Sequence, residues 1–231
     1  MTTILGYDPG GNCGHGVAAL SVDDSYNPTK IIVQTQETVK DVIGWFSQFS
    51  DAVGIGIDTL TKWATGESGW RPADLWLRAK YPDVEKSVVS PNSLYGSMTV
   101  GGMAVKSWFF YQYPKAVISE THPKVLYFAL KKQKYDWVNA SKEMVDFLSE
   151  KLGTFCKPRN DHEFDSTISC YAVLEYLRGS WKNDLHAMSD ARCGAYIEPF
   201  GNSIYAWPEQ DNTADVLRPP LIFSFGGKRW R

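Results

Sequence analysis

Short apolar segments that stop on an acidic residue set the tightest limit on how this chain folds. Thr3-Ile4-Leu5-Gly6-Tyr7 runs into Asp8 and then Pro9-Gly10-Gly11, and Val53-Gly54-Ile55-Gly56-Ile57 runs into Asp58. Apolar runs this short, bounded by turn residues, predict strands rather than helices. Glycines directly after Asp8 let a substrate or cation come close to the backbone. Two carboxylates fixed at the ends of rigid strands suit a hard cation such as Mg²⁺ or Mn²⁺. Aspartate beside glycine also starts turns, so the pair alone reads either way.

The chain has 231 residues, long enough to bury a substantial core as one domain, with a core over about 3–180 and a hairpin and tail over 190–231. Hydrophobic residues make up 43% and charged residues 22%, as in soluble globular proteins. The net charge of −2 supplies no global basic field, so any nucleic-acid binding must come from a local patch. The four cysteines, Cys13, Cys156, Cys170 and Cys193, lack CxxC spacing, which argues against a zinc knuckle or a disulfide framework. With no basic segment leading into an apolar stretch at the N-terminus and no run near membrane-spanning length, the expectation is a cytoplasmic protein that meets no membrane.

Residues 3–8, 17–22 and 30–35 read as three strands of an antiparallel meander, with a turn-rich connection at Asp23–Pro28. Val39, Val42, Ile43, Phe46 and Phe49 recur at helical spacing behind Thr38, a fitting N-cap. A strand buried on both faces follows at 53–58. Helices are predicted over 72–80 and 100–111, then a strand over 116–120 that again ends in a carboxylate, Glu120. The Gly101-Gly102 pair marks a candidate loop over the site. Further helices are predicted from His122-Pro123 to Leu130, over 141–151 closed by Gly153, and over 161–177. Residues 195–198 and 203–207 alternate like the two strands of a hairpin about Phe200-Gly201-Asn202. These elements predict an α/β fold: a mixed sheet of a three-strand meander plus parallel strands, flanked by helices, with a C-terminal β-hairpin.

If the strands lie side by side, Asp8, Asp58 and Glu120 reach one sheet edge. The 161–177 helix adds Asp161 and Asp165, one turn apart, and His162, three residues before Asp165. Acids gathered so closely repel one another unless cations fill the space between them. Two divalent ions bridged by a central carboxylate would activate a water and stabilise the leaving oxygen of a phosphodiester.

In this order and with these residues the chain resembles the RNase H-like superfamily. Gly6-Tyr7-Asp8-Pro9-Gly10 and the helix Asp161-His162-Glu163-Phe164-Asp165 are most similar to its RuvC-type resolvase branch. More narrowly, the chain resembles the nucleases of Domain of Unknown Function family 429. That likeness rests on Gly56–Leu60, Gly69–Asp74 with Arg78, Ser90–Gly96, Glu120–Pro123 and Asp161–Ser166. The resemblance implies a two-metal nuclease using Mg²⁺ or Mn²⁺ on DNA or RNA, leaving 5′-phosphate and 3′-hydroxyl ends. It implies Asp8 as the first-strand ligand, Asp165 as the late-helix ligand, Asp58 or Glu120 as the bridge, and Asp161 or His162 completing the second metal. Asp58 stands where RuvC carries Glu, one methylene longer, so Glu120 is the residue to compensate. Junction-cleaving members act as dimers, which makes a homodimer the assembly to look for.

Other roles fit the same residues. Asp161 at a helix start suits a cap, Glu120 suits an ion pair with Arg71 or Arg78, His122 before proline suits a turn, and Glu163 falls on a face expected to be solvated. Arg71, Asp74 and Arg78 share one helix face, either as an intrahelical ion pair or with an arginine on a substrate phosphate. Lys124 with Lys131, Lys132 and Lys134 forms a candidate basic edge for a nucleic-acid backbone. Asp165 is the hardest to read as structural, because its neighbours are apolar and an unpaired carboxylate there is costly. Two other functions remain open on this evidence: an actin-like ATP-dependent phosphotransferase, and a non-catalytic nucleic-acid-binding module.

Overall fold

The computed structural model describes residues 1–11, 14–66, 69–90, 96–190 and 193–208. Part of the Ser90–Gly96 stretch, Cys13 and the tail beyond 208 lie outside the described residues. In chain order the elements are β1 (Thr2–Asp8), β2 (His15–Val22), β3 (Pro28–Gln36), α1 (Val39–Phe46), β4 (Ala52–Ile57), β5 (Trp63–Ala64), α2 (Pro72–Lys80), α3 (Gly96–Gln112), β6 (Val117–Glu120), α4 (Pro123–Lys131), α5 (Trp137–Leu152), α6 (Asp161–Leu177), β7 (Asn183–Asp184), β8 (Tyr196–Ile197) and β9 (Ala206–Trp207). Thr38 caps α1 by accepting from the Asp41 amide, and Gly153 closes α5 in the left-handed conformation.

Five strands form one mixed sheet in the order β3-β2-β1-β4-β6. The first three are antiparallel, and β4 and β6 run parallel to β1. This is the mixed sheet of a three-strand meander plus parallel strands, flanked by helices, that the sequence predicts. Side chains alternate across β1, so Ile4 enters one core with Ala18, Leu20 and residues of α4, α5 and α6. Leu5 and Tyr7 enter the other with Ile55, Ile57, α1 and α3.

Helix α6 lies on the first of these faces, and glycines let it approach the strands directly. A Cβ on Gly6 would stand 1.9 Å from the Ser166 carbonyl oxygen, and one on Gly56 would stand 2.3 Å from that of Ser169. The buried hydroxyls of Ser166, Thr167 and Ser169 donate to the helix's own carbonyls at 2.7–2.9 Å, which satisfies them inside the interface. Since Asp8 and Asp58 lie two residues beyond Gly6 and Gly56, they fall toward the N-terminal turns of α6.

Three expectations change. The two C-terminal strands do not form a hairpin: β8 pairs with β5, and β9 pairs with β7. Between them Ile204 bonds to β6, its amide to the Ile118 carbonyl and its carbonyl to the Glu120 amide. Alternation marked these residues as strands but carried no information on distant partners. Gly101 and Gly102 are buried within α3, with Gly102 against Thr59, so they form no loop over the site. Asn160, not Asp161, caps α6 by accepting from the Glu163 amide. Among the described residues no helix is long and apolar enough to cross a membrane.

Gly56→Ala should destabilise the fold by about 1–3 kcal/mol or more, because a helix backbone must move. Gly44→Ala, in α1 with nothing within 4 Å of the added methyl, should stabilise by up to about 1 kcal/mol. Chemical denaturation of the pair measures both, and equal effects would contradict the close approach of α6.

Candidate functional site

Three elements deliver three carboxylates to one place. Asp8 ends β1 and is 3% exposed. Its Oδ2 lies 2.6 Å from His162 Nδ1, one residue into α6. Asp58 follows β4, and its amide donates to the Tyr7 carbonyl at 2.9 Å, which fixes it beside Asp8. Asp165, one turn along α6 from Asp161, is buried and accepts from the Tyr135 hydroxyl at 2.7 Å. Asp161 is half-buried at the start of the same helix.

Electrostatics separate these acids from the rest. Burial raises the Asp8 carboxyl above the ordinary value, and the His162 hydrogen bond only partly offsets it. Burial and then the Asp8 charge raise Asp58. Burial, then the charges of Asp8 and Asp58, raise Asp165. The exposed Lys124 of α4 pulls all three the other way. The Asp8 hydrogen bond holds the His162 imidazole above its usual value, and burial works against it. Each acid thus lacks the positive charge that would let it ionise at ordinary cost.

Glu120 is placed differently. It pairs in register with Ile57, which is paired with Tyr7, so it falls on the opposite parity from Asp8. Arg71 donates to both its oxygens, at 2.6 and 2.8 Å. The Thr61 amide and hydroxyl add bonds of 2.7 and 3.0 Å, and His186 Nε2 lies 3.3 Å away. Burial opposes the charge, but Arg71 and then His186 hold the Glu120 carboxyl well below the usual range.

The arginines expected to hold substrate are committed elsewhere. Arg71 is 1% exposed, and Asp74 occupies the part of its guanidinium that Glu120 does not. Arg78 donates to the carbonyls of Glu85 and Val88 at 2.8 and 2.9 Å and stacks over Trp70. Both brace the fold, so neither presents a cation to a phosphate. Of the candidate basic edge, Lys131 pairs with Glu143, and Lys132 lies over the Tyr81 ring. Lys124 lies over the Tyr135 ring, beside the acids. Glu163 is fully buried rather than solvated, held by Arg159 at 2.7 Å and Thr35 at 2.9 Å. Burial pushes the His122 imidazole down to about 4, and its Nε2 lies 3.0 Å from the Ser87 carbonyl.

Tyr135 and Thr61 had no signal in the sequence. Tyr135 lies between α4 and α5, far along the chain from Asp165, and only the packing of α6 against that connection brings them together. Thr61 meets Glu120 because the chain after β4 folds back over β6.

The donor set of Asp8, Asp58, Asp165, Asp161 and His162 fits a hard divalent cation in its chemistry, since mutual repulsion among the acids is what a cation relieves. Among the described residues no three His, Cys, Asp or Glu side chains already close into a ligand set. Asp8 is engaged with His162, and Asp165 with Tyr135.

No family model matches the chain, so membership of Domain of Unknown Function family 429 gains no support at the sequence level. No curated protein matches it either. Among solved structures it is similar to Thermus thermophilus RuvC in complex with a Holliday junction substrate. The identity is 12% over 78% of this chain and 98% of that one, with a TM-score of 0.44. It is also similar to a second Thermus thermophilus RuvC structure, at 15% identity over 77% and 97% of the two chains and a TM-score of 0.41.

Two opposite pH dependences follow. Glu120 has a depressed folded value, so its stabilisation is present above the unfolded carboxylate range near pH ~4.3 and is lost as pH falls through the folded value. Glu120→Gln should cost about 3–5 kcal/mol at neutral pH by stranding Arg71 and should flatten the acid limb of a stability–pH curve. For Asp58 and Asp165 the folded values are raised, so their contribution is present at low pH and lost as pH rises through those values. Asp58→Asn and Asp165→Asn should therefore raise the melting temperature of the metal-free protein at neutral pH, and a fall in both would contradict this reading.

Proposed function

We propose that the protein is a divalent-cation-dependent nuclease that hydrolyses phosphodiester bonds in nucleic acid. The observation that carries this reading is the meeting of Asp8, Asp58 and Asp165, three carboxylates from three elements that burial and neighbouring acids hold above the ordinary value. A structural cluster would be paired, as Glu120 is with Arg71. A cluster held at the cost of burial and repulsion suits a bound cation and a phosphate.

In this reading Asp8, Asp58 and Asp165 hold the cations, with His162 and Asp161 at the outer side. Mg²⁺ or Mn²⁺, when bound, supplies Lewis-acid stabilisation of charge on the phosphate and lowers the pKa of a water. The protein's own residues do the rest. Lys124, exposed beside the acids, orients the scissile phosphate. Tyr135 fixes the Asp165 carboxylate by its hydroxyl. His162, whose Nδ1 lies 2.6 Å from Asp8 Oδ2, orients that carboxylate. Glu120 takes no ligand role; through the Thr61 amide and hydroxyl it holds the segment that carries Asp58, three residues earlier. Products with 5′-phosphate and 3′-hydroxyl ends belong to the same reading.

Purified protein with Mn²⁺ or Mg²⁺ on labelled DNA and RNA tests it. Asp8→Asn and Asp165→Asn should each lower the cleavage rate by about 10²-fold or more, the scale of losing a group that stabilises transition-state charge. Full activity in both variants would remove the assignment. Mn²⁺ at 100 times its dissociation constant should stabilise the wild-type fold by about 2.7 kcal/mol and stabilise Asp165→Asn much less. Because cations bind ionised carboxylates, cation affinity should rise with pH through the raised Asp values. Titration calorimetry at several pH values measures it.

A further inference from the structure

Two cavities open beside Asp58 and Asp161 and share Ser87 and Lys124. One, of about 290 Å³, is lined by Asp58, Thr59, Met98 and His122. The other, of about 570 Å³, is lined by Tyr135, Trp137, Val138, Lys134 and Asp161. Lys124 thus lines both cavities, with Asp58 in the wall of one and Asp161 in the wall of the other.

The larger cavity has the chemistry of a base-binding recess. Tyr135 and Trp137 are half-buried aromatics whose rings pack on Phe164 at 5.8 and 5.5 Å, which fixes their planes. Val138, an apolar side chain in its wall, is 88% exposed. Its walls also carry four acids, Asp83, Glu85, Asp136 and Asp161, of which Glu85 lies 3.4 Å from Arg78 and Asp136 accepts from the Asn139 amide at 3.1 Å. Lys86, Lys124 and Lys134 bring positive charge to the same walls. A volume of about 570 Å³ falls within the 300–1,000 Å³ usual for small-ligand sites, which suits one unstacked nucleotide. A duplex keeps its bases inside the stack and has no group to place there.

We propose that the two cavities form one single-strand channel, in which Lys124 takes the phosphate beside the acids and the larger cavity takes an unstacked base against Trp137. The proposal rests on the phosphodiester reading of the acid site and narrows its substrate to single-stranded or locally unpaired nucleic acid. Tyr135 links the two functions, since its ring lines the cavity while its hydroxyl holds Asp165.

The test is fluorescence anisotropy of Asp165→Asn protein in Mg²⁺ with a labelled oligothymidylate and with a duplex of the same length. The single strand should bind roughly ten-fold tighter or more. Adding Trp137→Ala should weaken single-strand binding roughly ten-fold, the scale of one lost base–aromatic stack, and leave duplex binding unchanged. Adding Lys124→Gln should weaken both and reduce the salt slope by about 1. Trp137 packs on Phe164, so Val138→Glu, at an exposed position, supplies a variant that does not disturb the core; it too should weaken the single strand. Equal binding of strand and duplex, or unchanged single-strand binding in both cavity variants, overturns the channel. Wild-type cleavage in Mn²⁺ separates the two readings. Duplex cut as fast as single strand removes the channel and leaves the nuclease standing, whereas no cation-dependent cleavage of either removes the nuclease itself.

Discussion

The direct contact of α6 with the sheet is the constraint on which the rest of the structure depends. A helix packed on a sheet is ordinarily held off it by the side chains between them. Here Gly6 and Gly56 remove the side chains from the strands, and Ser166 and Ser169 present helix backbone in their place. The gain in packing comes with a fixed register. Two residues on from those glycines the strands end in Asp8 and Asp58, and at that level α6 offers His162 and Asp165. The carboxylates converge because the backbone below them can approach, not because they attract one another.

Charge is divided between the two faces of the sheet edge. On one side Glu120 is paired with Arg71, bonded to Thr61 and placed against His186, so its carboxyl ionises readily. On the other, Asp8 is bonded to His162 and Asp165 to Tyr135, and Lys124 acts on all three aspartates, yet burial and neighbouring acids hold their carboxyls above the usual range. Acids of the same strand ends thus take different roles through alternation alone. Burying a charge is tolerable when it is paired, which makes Glu120 a structural anchor and sets the three aspartates apart as the proposed cation ligands. The anchor and the cluster are joined through the Asp58–Thr61 segment, so a rigid ion pair on one face steadies a carboxylate on the other.

Much of this was legible in the sequence because it is local. The 72–80 helix begins at a proline and ends before Tyr81-Pro82, and both limits hold. Thr38, Gly153 and the strand-ending acids each carry their signal within a few residues. What the sequence withheld depends on which strand meets which. Glu120 looks like a third ligand until the register pairs it with Ile57, and Arg71 looks like a phosphate clamp until both carboxylates around it are seen. The C-terminal segments alternate as strands, but their partners are β5, β6 and β7 rather than each other. Glu163 falls on the outer side of a helical wheel, yet Arg159 and Thr35 close over it.

The central claim is that Asp8, Asp58 and Asp165 together hold a divalent cation while Glu120 stays with Arg71. A crystal structure grown in Mn²⁺, with anomalous scattering recorded at the manganese edge, tests it most directly. The account predicts an anomalous peak contacted by carboxylate oxygens of Asp8, Asp58 and Asp165, with both Glu120–Arg71 bonds intact. A peak ligated by Glu120 with Arg71 displaced, or no peak among the three aspartates, would contradict it.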